Sequence, residues 1–368
     1  MATATLLKKC ILLLAAVVFT YAASANGVVH SSAQYNLLQT ELARYNQIAQ
    51  KGGWPKIKAT RKFYQKDLND GVVVQLKERL RASGHYTADD MSTLFNDELV
   101  AAVKKAQQQF GLKPNGVVDA VLIKYLNVPV EERIAQLQVN MERALSLPVS
   151  AAGTRLVANI PEFKLHVYEG SQHVFDMDIV VGTESNKTVT FDDEMTQIVF
   201  SPYWNVPPSI VQNEILPAMR RDRSYLRRNG YEQLGTEGGL PVIRQKPGAG
   251  NSLGKVKFLF PNSHAIYFHD TPAKSPFSIR KRTFSHGCIR LAEPAKLAEY
   301  LLRNNAEWTP EKIRKAMDAG KEQAVQLPTP VPVSITYFTA FVDEDGLLHF
   351  REDVYGHDKQ MVRNIVKK

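Results

Sequence analysis

The stretch with the means to do chemistry reads Ser285-His286-Gly287-Cys288-Ile289-Arg290, with His269-Asp270-Thr271-Pro272 upstream and Arg282 between them. Cys288 and two of the nine histidines fall within twenty positions. A free thiol, with a pKa of about 8.5, is only a few per cent thiolate at neutral pH. An imidazole within reach takes the proton and leaves a strong nucleophile. The imidazole in turn needs an acceptor to fix its tautomer, which a carboxylate or a backbone carbonyl supplies. Gly287 lets the chain turn so that amide N–H groups can face a developing oxyanion. Arg290 can clamp a substrate carboxylate. Two other readings start from the same residues. His269, His286, Asp270 and Cys288 could hold zinc, but their spacing matches no C-x-x-C or H-E-x-x-H pattern. Cys288 could be a buried structural thiol, against which the polar neighbours His286 and Arg290 argue.

These residues sit in a β-rich half of the chain. Lys164–Glu169, a turn at Gly170-Ser171 and Gln172–Val181 read as a hairpin, with Phe175, Met177, Ile179 and Val181 alternating at close to period two. Further strands are expected at Gln197–Ser201, Lys257–Phe260, Ala265–His269 and Ile335–Val342, and helices near Pro294–Arg303 and Pro310–Ala319. His269 closes one of these strands. Pro207–Gln245, rich in Arg, Gly and Pro, reads as a lid or substrate loop.

The first half is helical. Leu38, Leu42, Tyr45 and Ile48 stripe one helix over residues 31–50, stopped by Gly52-Gly53 and Pro55. A three-helix unit over residues 66–128 follows. Val73, Leu76 and Leu80 share one face, and Leu99, Val103, Ala106 and Phe110 another. Gly111 is expected as a left-handed cap, Asn115-Gly116 as a turn and Asp119 as a helix cap. Ile134, Leu137, Met141 and Leu145 mark a further helix in a linker over 129–152. No internal repeat or long low-complexity segment interrupts the chain.

Lys8 and Lys9, the apolar run Ile11–Tyr21 and Ala23-Ser24-Ala25 form a signal-peptide pattern over residues 1–25, too short to span a bilayer comfortably. Cleavage removes Cys10 and leaves Cys288 as the one cysteine of an exported chain, so no internal disulfide can use it. The formal charge is +9, of which Lys8 and Lys9 supply two. In that compartment the excess suits a wall polymer bearing carboxylates rather than nucleic acid, although spread charge also serves a solvated surface.

The segment His269–Arg290 resembles the signature of the L,D-transpeptidases: a histidine, a spacer, Ser/Thr-His-Gly-Cys, then Arg or Asn. Asp270 stands where glycine is usual, and His-Asp-Thr-Pro is similar to the large periplasmic subgroup. Gly52-Gly53-Trp54-Pro55, Trp204–Ile210, Asn251-Ser252-Leu253-Gly254 and Tyr337-Phe338-Thr339-Ala340 resemble further landmarks of that subgroup. The 66–128 unit resembles the common peptidoglycan-binding module.

The resemblance implies an α+β multidomain chain, with a β-rich, sandwich-like catalytic domain over 153–325 and a β segment over 326–368 completing it. Residues 26–65 form an N-terminal helical segment, and 207–245 a reduced capping loop. Cys288 would acylate on the third residue of a tetrapeptide donor, release the terminal D-Ala and pass the acyl group to a second stem peptide. His269 would be the base, held through the carbonyl of Asp270. His286, Gly287 and Cys288 would shape the oxyanion site, and Tyr267, Trp204, Ser285 and Arg290 would contact substrate. No metal or cofactor is implied. Peptidoglycan and carbapenem-type inhibitors are the implied partners, in the periplasm, for a chain that is not an integral membrane protein after processing. Three other readings remain open. The acyl-enzyme could be resolved by water, a D-amino acid or a lipoprotein lysine. The chain could be a catalytically dead wall-binding protein. It could also be an ordinary cysteine peptidase, where the cysteine commonly precedes the histidine.

Overall fold

The computed structural model describes residues 33–146 and 153–366. The export segment expected over 1–25 lies outside the described residues, as do 26–32 and the last six residues of the 129–152 linker. The helical part comprises α1 (Ala33–Gln50), β1 (Phe63–Tyr64), α2 (Gly71–Ala82), α3 (Asp97–Gln109), β2 (Val118–Asp119), α4 (Ala120–Leu126) and α5 (Val130–Leu145). Helices α2, α3 and α4 each start on a side chain that bonds a first-turn amide: Asp70 to Val72 N, Asn96 to Leu99 N and Asp119 to Leu122 N, at 2.9, 2.9 and 2.8 Å. Each such cap contributes about 1 kcal/mol. Gly111, at φ 64°, takes the left-handed turn after α3. Val73, Leu76, Leu80, Leu99, Val103 and Ala106 are all buried, as their spacing requires.

From Thr154 the chain is mainly strand: β3 (Thr154–Asn159), β4 (Lys164–Glu169), β5 (Gln172–Gly182), β6 (Phe191–Phe200), β7 (Trp204–Asn205), β8 (Tyr231–Glu237), β9 (Leu240–Gln245), β10 (Val256–Leu259), β11 (Phe268–His269), β12 (Thr283–Ser285) and β13 (Ile289–Leu291). Helices α6 (Pro294–Leu301) and α7 (Pro310–Met317) then precede β14 (Gln323–Thr336), β15 (Ala340–Val342), β16 (Leu348–Phe350) and α8 (His357–Val366). One sheet runs β12-β5-β13-β11-β10-β6-β14-β3-β4, and β4 also pairs with β5, so the sheet folds back on itself around one core. Leu156, Leu165, Ile179, Ile198, Phe258 and Phe268 fill that core.

Three expectations are corrected. Residues 326–368 do not form one β segment of the catalytic half. Strand β14 starts at Gln323 and is held between β3 and β6, but it ends at Thr336. Phe338, Ala340, Val342, Leu348 and Phe350 then join the helical core, with the Phe350 ring 5.7 Å from Tyr45 and 6.4 Å from Phe110. The apolar face of the β15–β16 hairpin finds its partners there because β14 already has a strand on each side.

Helix α5 is likewise more than a linker. Leu137, Asn140 and Ala144 are buried, Asn140 exchanges two hydrogen bonds with Thr339, and Arg143 pairs with Asp358 at 2.7 Å.

The segment 207–245 is a small folded unit rather than a loop. A helical run over 208–221 is interrupted by a π-turn at Val211–Ile215, and the β8–β9 hairpin pairs with β7. Val206, Ile210, Val211, Ile215 and Ile243 give it a core of its own. No helix among the described residues is long and apolar enough to cross a membrane.

Candidate active site

Strands β11 and β13 run parallel, with Phe268 opposite Ile289 and His269 opposite Arg290. Successive side chains alternate between faces. Phe268, Ile289 and Leu291 therefore point into the buried core, and Tyr267, His269, Cys288 and Arg290 share the other face. The contacts agree. The rings of Tyr267 and His269 are 5.7 Å apart, and Tyr267 lies close enough to the Cys288 sulfur and to Trp204 for each to shift the proton affinity of its neighbour. Five of the residues singled out in the sequence thus meet at one place.

Nδ1 of His269 lies 2.5 Å from the carbonyl oxygen of Asp270. A carbonyl only accepts, so Nδ1 carries the hydrogen and Nε2 is the basic nitrogen. His269 is buried; that burial, with the nearby Arg290 charge, pushes its pKa down to about 4. Burial also pushes the Cys288 thiol up, against the opposing pull of Tyr267 and Arg290. No hydrogen bond joins His269 to Cys288 among the described residues; Sγ instead lies 3.6 Å from the carbonyl of Ala265. This corrects the expectation of a standing thiolate next to an imidazole. The resting pair is a neutral thiol and a neutral imidazole, because both charged forms would lose hydration here.

The carboxylate of Asp270 points away from the histidine, taking the Lys255 amide at 2.9 Å and Lys274 Nζ at 2.8 Å. Gly254, at φ 62°, packs so closely on it that a Cβ there would collide with the carboxylate. The Asp270 and Asn251-Ser252-Leu253-Gly254 landmarks are therefore one mutual fit.

The turn before Cys288 is held from within. Buried Ser285 donates to the Cys288 carbonyl at 2.5 Å and accepts from the Gly287 amide at 3.1 Å. That engages the Gly287 N–H, which had been expected to face an oxyanion, and makes Ser285 a brace of the turn. Gly287 sits at φ 114°, and its carbonyl accepts from Thr188 at 2.8 Å. The exposed ring of His286 turns outward, with Nε2 2.6 Å from the Glu214 carboxylate in the π-turn of the 207–245 unit. Arg290 is half-buried, and its Nε finds no partner among the described residues. His269, His286, Asp270 and Cys288 are not brought together as an ion-binding group.

Thr188, Glu214 and Ala265 had no signal in the sequence. Each reaches the site through a long-range contact, and Ala265 does so from a strained φ of 53° in a turn whose amides at His264 and Ile266 are held by Asn262.

The model of the YkuD family, the L,D-transpeptidase catalytic domain, matches residues 153–333, and that of a peptidoglycan binding domain matches residues 69–126. A Haemophilus influenzae protein assigned as an L,D-transpeptidase is 30% identical over 247 residues, which is 63% of this chain and 50% of the relative. The chain therefore spans about half the length of that curated relative. Among solved structures, an L,D-transpeptidase from Mycobacterium smegmatis matches at 14% identity and a TM-score of 0.26, over 50% of this chain and 59% of the other. One from Stackebrandtia nassauensis matches at 13% identity and a TM-score of 0.28, over 74% and 96%. The β-rich half therefore carries a domain of the L,D-transpeptidase catalytic family over residues 153–333, and the three-helix unit matches a peptidoglycan binding domain over residues 69–126.

Proposed function

We propose that this chain is a cysteine-dependent L,D-transpeptidase that cross-links peptidoglycan stem peptides in the periplasm through a Cys288 acyl-enzyme. The observation that carries the reading is the shared face of Tyr267, His269, Cys288 and Arg290, with an Arg290 guanidinium that no carboxylate of the described residues pairs. A stem tetrapeptide ends in a carboxylate, and Arg290 is the group to meet it.

Both partners rest neutral, so the proton moves as the sulfur attacks. The thiol proton passes to Nε2 of His269 while the S–C bond forms at the carbonyl of the third stem residue. The C–N bond to D-Ala then breaks, and the imidazolium returns the proton to the departing amine. In the second half, the side-chain amine of another stem attacks the thioester, gives up its proton through His269, and the S–C bond breaks to regenerate the thiol. The Asp270 carbonyl holds the imidazole through both halves. The Tyr267 hydroxyl, with Trp204 beside it, donates to the sulfur as its charge grows. A carbapenem-type inhibitor would acylate the same sulfur.

Incubation with a disaccharide tetrapeptide, with products identified by mass, tests the proposal. Dimers joined between two third residues are expected. Tripeptides alone or D-amino-acid-exchanged stems would assign the acyl-enzyme to hydrolysis or exchange. No reaction would favour a wall-binding role.

A further inference from the structure

The β4–β5 hairpin carries a second cluster of side chains, earlier in β5 than the point where that strand meets Arg290. His166 and Asp176 are direct cross-strand partners, and Tyr168 pairs with His173. Between those pairs the register shifts by one residue, at a bulge beside Val167 and Tyr168. In an unbroken strand, side chains three positions apart point to opposite faces. The bulge absorbs one step, so His173 returns to the face of His166 and Asp176. One ring nitrogen of each histidine and a carboxylate oxygen of Asp176 lie within 4.8 Å of one another.

Two further observations point to a cation. Nε2 of His173 is buried and has no hydrogen-bond partner; an atom of that kind is uncommon in a folded chain. Oε2 of Glu162 lies 3.0 Å from Nε2 of His166, while its Oε1 is held by Arg351 at 3.2 Å. A carboxylate fixed in this way on the ring of a ligating histidine sets its orientation and raises its basicity. Lys164 takes Oδ1 of Asp176 at 2.5 Å and also reaches Asp178 at 3.2 Å. That leaves the second oxygen of Asp176 for another cation, and leaves Lys164 a counter-ion.

We propose that His166, His173 and Asp176 bind one divalent transition-metal ion of the zinc type across the hairpin. Two imidazoles and one carboxylate suit such an ion, whereas calcium and magnesium take oxygen ligands. Donors in a tetrahedral site stand about 3.3 Å apart, so side-chain rotation is enough to close the set. Asp176 is four residues along β5 from Val180, the partner of Arg290, which is about 13 Å of strand. The ion clamps the hairpin and takes no part in the reaction at Cys288.

The test is a calorimetric titration of Zn²⁺ into the tag-free chain carrying Cys288→Ala, so that the thiol cannot take the ion. One ion per chain is expected, together with a rise in melting temperature that a chelator reverses and that Mg²⁺ does not reproduce. His173→Ala should lower the affinity at least ~10-fold and abolish the zinc-dependent rise in melting temperature, measured against the same variant in chelator so that the lost ring packing on Tyr168 is not counted. Asp176→Asn provides a second variant of similar shape. Absence of saturable binding, an equal response to Mg²⁺, or zinc affinity unchanged in both variants overturns the proposal.

Discussion

In the proposed mechanism His269 stays uncharged until the thiol releases its proton. Its pKa, pushed down to about 4 by burial and Arg290, has a consequence for stability. In the unfolded chain a histidine takes a proton below about pH 6.5. In the folded chain this one stays neutral down to about pH 4. The unfolded state therefore binds more protons across that window, and the stability due to His269 is present above pH 6.5 and lost as the pH falls toward 4. His269→Gln keeps a side-chain donor for the Asp270 carbonyl and removes the titration. Denaturant unfolding of wild type and variant should diverge between pH 6.5 and 4, the wild type losing up to about 3 kcal/mol relative to the variant. Parallel pH profiles would show that the buried neutral imidazole is not what the fold holds.

At the scale of the elements, the site depends on how two turns fit two short strands. Gly254 is the sharpest case, since its left-handed backbone and its contact with Asp270 both exclude a side chain. Gly254→Ala should displace the Asp270 carboxylate and, through the Asp270 carbonyl, the His269 ring. A fall in turnover of ~10²-fold is expected, the scale of a misplaced general base. Gly238, at φ 57° with open space around it, is the control: Gly238→Ala carries only the backbone cost of about 1 kcal/mol and should leave turnover unchanged. Similar losses in both variants would mean that strain alone is being measured.

The same elements show what could be read from the sequence. The α2–α4 unit was legible because caps and apolar spacing are local. The tetrapeptide Ser285–Cys288 and the strand ending at His269 were legible because they lie close together in the chain. Strand β11 was shorter and β14 longer than expected, because their lengths are set by the neighbours they pair with. Glu214 and Thr188 reach the Ser285–Cys288 turn across 72 and 99 residues, and no local pattern announces such contacts. The reading of 207–245 as a loop missed a folded unit for a related reason: its apolar residues are interrupted by a π-turn and pack on a hairpin, so they follow no single helical stripe.

Across the whole molecule, the helical part and the C-terminal hairpin share one core, so removing residues 66–128 would also uncover Phe350 and its neighbours. Attachment to the wall is better tested at the surface. Phe63 is 52% exposed and Leu94 43% exposed, and Phe63 stands among Arg61, Lys62 and Lys66, a mixture suited to a polymer with apolar and carboxylate faces. Phe63→Ser with Leu94→Ser should weaken retention on peptidoglycan sacculi roughly tenfold, the scale of losing one or two buried apolar contacts, and should leave turnover of a soluble muropeptide unaltered. Equal losses in both assays would make this surface part of the reaction instead.

The central claim is that Cys288 carries the acyl group. Intact-mass spectrometry of the chain mixed with disaccharide tetrapeptide and quenched in acid reads it directly. One adduct per chain is expected, equal in mass to the donor less its terminal D-Ala and less the thiol hydrogen. It should map to the peptide containing Cys288 and be absent from a folded Cys288→Ala variant that also shows no transfer. Turnover without an adduct on Cys288, or turnover that survives Cys288→Ala, would contradict the account.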